Sequence, residues 1–346
     1  MSLSELYNKT YRTSLFTTPS HSQRFFITSK FEQFYKYDIS ETDTHEPEEA
    51  LLDSERKACK IYGTTKTKFL TNGSTSGIIA SVLACAKQGD KVLIWNNSHP
   101  CHKNAVELSG TTPVFYELEK DENWGIYKAL TPEKLDNFLQ EGDIKAVIVT
   151  SPSYYGVVSD IKALKDVCNR HNTYLIVDEA HGALYPFSDK LPQSAVKIAD
   201  FTVQSLHKTA GGLNPTALLH TTTTNLDIDR ALKKFSTTSP SYALLYSIEK
   251  NINYLNSQKG RQKIEKLIEN IENLKENCPN IEFFDGDITK ILIKHKNYTG
   301  FELSENLFKN KVEDEKTNEK STMLLCGIGT DKFKLQRLEK ILKRIV

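Results

Sequence analysis

Residues 175–212 read LIVDEAHGALYPFSDKLPQSAVKIADFTVQSLHKTAGG. An apolar run ends in a carboxylate, Asp178, and a second short run, FTV, is soon followed by Lys208, which His207 flanks and two glycines close. Compact β-branched runs bounded by turn residues predict strands. Two opposite charges therefore stand at the ends of two buried strands. Either they neutralise each other as an ion pair, or a ligand is held between them.

Outward from this stretch the same texture repeats. KVLIW (91–95), TPVFYEL (112–118), KAVIVT (145–150), TYLIVD (173–178), DFTVQS (200–205) and TALLHT (216–221) each predict a strand. Between them SGIIASVLACAKQG, HKNAVELSG, TPEKLDNFLQEG and DIKALKDVCNRH carry helical spacing, several closed by Gly or opened by a Thr or Asp able to cap. Strands apolar on both faces and alternating with helices predict an α/β fold with a mainly parallel, doubly wound sheet. Its ligand crevice lies beyond the carboxyl ends of the strands. Asp178 and the segment Ser205 to Lys208 fall at such ends.

After residue 240 the pattern changes. SYALLYSIEKNINYLNSQKGRQKIEKLIENIENLKENC predicts one long amphipathic helix or two in series. KILIKHK, GFELSENLFKN, TMLLCGI and DKFKLQRLEKILKRIV then predict a small α/β domain. The expected division is a large domain with an N-terminal arm over residues 1–255 and a small C-terminal domain over 256–346. The charged stretch NKVEDEKTNEKS (310–321) reads as a solvated loop.

The 346 residues suffice for this arrangement. Lys and Arg number 45 against 44 Asp and Glu, and a net charge of +1 offers no footprint for nucleic acid or an anionic membrane. The six cysteines show neither CxxC nor zinc-type spacing, which predicts reduced thiols used in packing. No signal-peptide-like run opens the chain, and no apolar stretch reaches the roughly 18 residues of a membrane span. The expectation is a soluble, cytoplasmic protein.

TNGSTSG (71–77) runs from an apolar strand end into a helix start. Free backbone N–H groups and the helix dipole there suit a phosphate, with hydroxyls from Ser74, Thr75 and Ser76, although a Gly-Ser-Thr turn serves equally as a simple cap. Neither GxxxxGK[ST] nor a strand-borne GxGxxG occurs, so nucleotide readings lose ground. In SHPCHKNA, His99 and His102 lie between a strand and a helix, and their spacing alone supplies no metal-ligand set.

Taken in order, NGSTSG, HPCHK, SPSYYG, VDEAHG, QSLHKTAGG and TTSPSY resemble the Orn/Lys/Arg decarboxylase family of pyridoxal phosphate enzymes, which have the aspartate-aminotransferase type of fold, fold type I. FTTPSH (16–21) and YDISETDTHEPE (37–48) extend the resemblance toward the N-terminus. It fades beyond about residue 245. By this resemblance Lys208 is the Schiff-base lysine, Asp178 holds the pyridine nitrogen protonated, and His102 stacks on the ring face opposite the lysine. The phosphate rests on Ser74, Thr75 and Ser76, with Ser205 and His207 closing the cup. His181 lines the same pocket or serves as a cap or support behind it, Ser153 and Tyr155 are pocket wall or simple turn packing, and Lys208 or His102 returns the proton to Cα. Thr238, Ser239 and Ser241 match a segment that reaches the neighbouring subunit's cofactor, so the resemblance implies a homodimer or higher oligomer with shared sites.

Two departures stand out. Pro19-Ser20-His21 replaces the family's Pro-Gly-His, and relatives continue through a larger C-terminal region that supplies part of the acidic groups for the distal amine. The leading expectation is a decarboxylase of lysine, arginine or ornithine that yields a polyamine-type product. The alternatives are an aminotransferase, with Arg24 as a carboxylate-binding candidate, or a lyase, and an inactive cofactor-binding homologue acting through a protein partner.

Overall fold

The computed structural model describes residues 2–10, 38–39 and 47–345. FTTPSH, Arg24 and most of YDISETDTHEPE lie outside the described residues. The strands of the larger part are β1 (Lys66–Leu70), β2 (Lys91–Trp95), β3 (Thr112–Tyr116), β4 (Lys120–Asp121), β5 (Ile126–Tyr127), β6 (Ile144–Thr150), β7 (Tyr174–Asp178), β8 (Phe201–Ser205) and β9 (Ala217–Thr221). The helices are α1 (Leu3–Thr10), α2 (Glu49–Tyr62), α3 (Ser74–Cys85), α4 (Pro100–Ser109), α5 (Pro132–Gln140), α6 (Ile161–Arg170), α7 (Leu206–Thr209) and α8 (Ile228–Lys233). Seven strands form one sheet in the order β1-β9-β8-β7-β6-β2-β3, and β4 and β5 make a separate hairpin.

Within that sheet β3, β2, β6, β7 and β8 run parallel, while β9 runs antiparallel to both β8 and β1. The alternation of side chains explains why both faces are covered. Ile94, Ile148, Ile176 and Val203 join one buried cluster, and Leu93, Val147, Val149, Leu175 and Val177 join the other. The first cluster takes in α3 and α4, the second α5 and α6. Local caps set the helix starts, because Thr131 Oγ1 accepts from the Lys134 amide at 3.3 Å and Asp160 Oδ1 from the Ala163 amide at 3.0 Å. Gly77 lets α3 lie close on the sheet, where a Cβ would meet Val203 Cγ1 at 2.7 Å and Leu70 Cδ1 at 2.9 Å.

The amphipathic stretch after residue 240 is two helices, α9 (Tyr242–Asn256) and α10 (Gln258–Asn277). Extended Ser257 ends the first and caps the second, accepting from the Gly260 amide at 3.1 Å. Beyond them β10 (Glu282–Phe283), β11 (Lys290–Lys294), β12 (Lys316–Thr317) and β13 (Thr322–Leu325) form an antiparallel sheet in the order β10-β11-β13-β12. Helices α11 (Gly300–Lys309) and α12 (Lys332–Ile345) share its core. On α1, Leu3 and Leu6 are buried, and Glu249 of α9 accepts from the Leu3 amide at 3.0 Å. No helix among the described residues is long and apolar enough to cross a membrane.

The stretch 310–321 differs from the solvated loop expected of it. Lys316 and Thr317 pair with Met323 and Thr322, and Asp314 accepts from Ser304 Oγ at 2.5 Å and from Thr317 Oγ1 at 2.7 Å. Its alternating charges conceal a short edge strand, anchored by backbone pairing that a charge pattern does not reveal.

Candidate active site

Strands β7 and β8 are neighbours with Asp178 opposite Val203, so both carboxyl ends open on the same edge of the sheet. Asp178 ends β7; β8 ends in Ser205 and passes directly into α7, which carries His207 and Lys208. Strands in a sheet lie about 5 Å apart, so the acid and the amine approach one space from adjacent supports. That space is a cavity of about 450 Å³ whose walls include Asp178, Lys208, His181, Ala180, Ser74 and Tyr154.

The two charges do not meet. Asp178 accepts from His102 Nε2 at 3.0 Å and from the Ala180 amide at 3.2 Å, while Lys208 Nζ lies 3.1 Å from His181 Nε2. Burial alone would raise the Asp178 pKa, but the hydrogen bond and electrostatic pull of His102, joined by the Lys208 charge, outweigh it and hold the carboxyl below its ordinary value. Burial draws the Lys208 ammonium below the ordinary lysine value against the pull of Asp178. His181 is driven well below the ordinary histidine value, first by burial and then by the charges of Lys208 and Lys290. A neutral His181 that accepts at Nε2 carries its proton on Nδ1, an atom buried without a partner.

The other expected residues fall in several places. Ser74 faces the cavity at the start of α3, after Gly73 at φ 86°, a backbone that favours glycine. Ser76 turns inward and donates to the Gly73 carbonyl at 2.7 Å, whereas the Thr75 hydroxyl bonds to Cys101. Ser205 Oγ is buried without a partner, and His207 Nδ1 donates to the Thr216 carbonyl at 3.0 Å. His102 is wholly buried and turned to Asp178, and the residues beside it that form cavity wall are His99, Pro100 and Cys101. Ser153 and Tyr155 line the cavity. Ser239 is exposed, with Thr238 and Ser241, outside the lining of this chain's cavity. Cys101 Sγ, His102 and Asp178 gather within 4.8 Å, but burial and the Asp178 charge push the thiol up to about 12, so it stands there as a neutral S–H.

Three features of the site escape a reading of the sequence. Lys316, from the charged stretch, is part of the cavity wall. Lys290 forms a fully enclosed ion pair with Asp287 at 3.3 Å and donates to the His181 carbonyl at 3.4 Å, tying the smaller sheet to the loop after Asp178. Glu179, next to Asp178, is buried and accepts from Ser194, Ala195 and Gln204. Of the three, Lys290 alone has a signal in the sequence that could have found it, a lysine at the start of a buried strand.

Comparison with known proteins settles the family. The sequence profile of the Orn/Lys/Arg decarboxylase major domain matches residues 9–321. The chain belongs to the Orn/Lys/Arg decarboxylase family. It is 31% identical over 245 residues to an arginine decarboxylase of Bacillus subtilis, a match covering 69% of this chain and 50% of that protein. It is 27% identical over 339 residues to the uncharacterised protein YaaO of the same organism, covering 91% of this chain and 71% of the relative. The crystal structure of the lysine decarboxylase LdcF from Francisella novicida superposes with a TM-score of 0.86 at 18% identity, over 99% of this chain and 59% of that one. The chain thus spans about half to seven-tenths of the length of these relatives.

Orn/Lys/Arg decarboxylases are pyridoxal phosphate enzymes of fold type I, and the mostly parallel sheet agrees with that fold. The donor set fits the cofactor. An acid held ionised suits a ring nitrogen cation, and an amine whose charged form is disfavoured suits an aldehyde. A glycine-led helix start and the unpartnered Ser205 hydroxyl suit a phosphate.

Proposed function

We propose that the protein removes the α-carboxylate of a basic amino acid as carbon dioxide, with arginine as the first candidate substrate and lysine and ornithine after it. The observation that carries the reading is the placement of Asp178 and Lys208 on one cavity at the ends of adjacent strands, each bonded to a histidine and not to the other. Arginine comes first because the 31%-identical relative is an arginine decarboxylase.

Pyridoxal phosphate, when bound, supplies an electron sink for the pair left on Cα as the carboxylate departs. The chain's residues do the rest. Asp178, kept ionised by His102, holds a proton on the ring nitrogen. Lys208 Nζ would hold the aldehyde carbon and, once the substrate's amine replaces it there, would carry the proton given up by that amine and deliver it to Cα in place of the departed carboxylate, with neutral His181 as its neighbour. Of the two candidate proton donors, Lys208 is the one that already faces the cavity. Ser74 and Thr75 offer first-turn amides of α3 to the phosphate and Ser76, whose amide and hydroxyl both turn to the Gly73 carbonyl, would have to turn outward to join them, with Ser205 and His207 closing the cup. Stacking of His102 on the ring belongs to the same proposal and calls for its imidazole to reach the face that His99 and Cys101 now form. Ser239 serves the site of a neighbouring subunit in a homodimer or larger assembly.

The test is incubation of purified protein and pyridoxal phosphate with a mixture of common amino acids, followed by mass spectrometry of the products. Agmatine, cadaverine or putrescine is expected. An α-keto acid in their place would assign transamination, and the absence of any product would leave a cofactor-binding homologue. Borohydride reduction should fix a pyridoxyl group on Lys208, and Lys208→Ala should abolish it.

A further inference from the structure

On the cavity wall two tyrosine rings flank an exposed lysine, and a carboxylate bonds to one of the tyrosines. Lys316 Nζ stands 4.5 Å from the centre of the Tyr154 ring and 5.8 Å from that of Tyr155, and the Tyr154 hydroxyl donates to Glu315. The Tyr154 ring lies 4.9 Å from the His181 ring, and His181 bonds to Lys208, so this box is one imidazole removed from the reactive amine. Tyr154, Tyr155 and Lys316 all line the cavity that holds Asp178 and Lys208.

Two aromatic faces and an acid make a receptor for a cation. Here the chain fills it with a cation of its own. Glu315 and Lys316 are both exposed, and their backbone is fixed where the Glu315 amide donates to the Met323 carbonyl at 2.9 Å and Lys316 pairs with Met323 on β13. Only a flexible side chain need move to vacate the box, and its ammonium passes into water when it does.

We propose that Tyr154, Tyr155 and Glu315 form the subsite for the substrate's side-chain cation, and that Lys316 is an internal placeholder which that cation displaces. The identity of the incoming group rests on the proposed decarboxylation of a basic amino acid. Displacement exchanges one cation for another, so the two rings are never left without a cation, and the incoming one lies beside the Glu315 carboxylate bonded to Tyr154. A neutral side chain cannot make this exchange. Lys316 then stays in place and narrows the mouth, so selection against neutral amino acids is built into the resting site. A guanidinium gains most, because its plane lies flat on a ring while its edge offers paired donors to a carboxylate.

The experiment titrates n-propylguanidinium chloride, which carries the cation without the amino-acid head, into the cofactor-loaded protein by calorimetry. Lys316→Met, lacking the competitor, should bind the probe about fivefold more tightly than the unaltered protein. Glu315→Gln, which keeps an acceptor for Tyr154, should bind it about tenfold more weakly. The visible absorption of the loaded protein should be the same in all three. Unchanged probe affinity in either variant overturns the subsite. If the affinities shift as stated while no basic amino acid is decarboxylated, the proposed reaction fails and the cation box stands. If arginine is decarboxylated with one KM in all three proteins, the reaction stands and the box is wrong.

Discussion

His102 Nε2 donates to Asp178 Oδ2 at 3.0 Å, with the histidine wholly buried and the acid nearly so. Burial on its own would favour the protonated acid, and His102 is the largest influence acting the other way. A cationic ring nitrogen needs the ionised form. In His102→Ala burial should prevail and the Asp178 pKa should rise. The carboxylate would then protonate at a higher pH than in the unaltered protein, and cofactor retention would fall with it. Cofactor content after dialysis at several values from about pH 8 down to about pH 5 should stay level in the unaltered protein and decline toward the acid end in the variant. Parallel profiles would show that His102 does not govern the charge of Asp178.

Lys290 and Asp287 have no exposed side-chain surface, and Lys290 donates to Asp287 at 3.3 Å, Thr289 Oγ1 at 3.2 Å and the His181 carbonyl at 3.4 Å. Removing one partner strands a buried charge. Lys290→Met is expected to lower unfolding free energy by about 3–5 kcal/mol, read from urea titration. Adding Asp287→Asn to it should recover much of that loss, since neither charge then remains. A single variant no less stable than the double one would mean that the pair contributes nothing as a pair.

The strands from β2 to β9, apart from the hairpin of β4 and β5, and the helices between them were legible because compact apolar runs alternate with capped helical segments, and KVLIW appears as Lys91–Trp95 without a residue's difference. Asp178 and Lys208 were legible for the same reason, as charges set against strand ends. The antiparallel course of β9 was not, since TALLHT is a compact apolar run like the strands that lie parallel to one another, and direction is fixed by tertiary pairing. Lys316 and Glu315 were hidden for a different cause. Their stretch has the charge pattern of a solvated loop, and only pairing with β13, remote from the motifs, brings Lys316 to the cavity wall and Glu315 to Tyr154. The turn of His102 toward Asp178 is likewise a contact across 76 residues that no local spacing encodes.

Gly77 sits where α3 crosses β1 and β8, and an added methyl would lie 2.7 Å from Val203 Cγ1 and 2.9 Å from Leu70 Cδ1. Both neighbours are buried side chains in a packed cluster, so relief requires moving the helix. Gly77→Ala should therefore cost about 1–3 kcal/mol of stability. Because α3 presents Ser74 to the cavity, phosphate affinity should fall as well. Thermal unfolding and pyridoxal phosphate titration check the two effects, and a variant as stable as the original would show that the sheet has slack beneath the helix.

Glu179 accepts from Gln204 Nε2 at 2.6 Å, Ser194 Oγ at 2.7 Å and the Ala195 amide at 2.8 Å, yet burial still pushes its pKa up to about 7 from an ordinary 4.5. In that interval the unfolded chain releases a proton that the folded chain keeps. The folded state binds more protons, so the stability contributed by this group is complete below about pH 4.5 and is lost as pH rises through about 7. The loss amounts to about 3 kcal/mol at most. Glu179→Gln cannot titrate, and the difference in unfolding free energy between the two proteins should shrink or reverse in favour of the variant from pH 5 to pH 8, roughly across the window set by those two values. Urea titrations at unit steps of pH read this directly. A difference that stays constant across the range would mean that Glu179 is already ionised in the folded protein at the acid end, with its three donors overcoming burial.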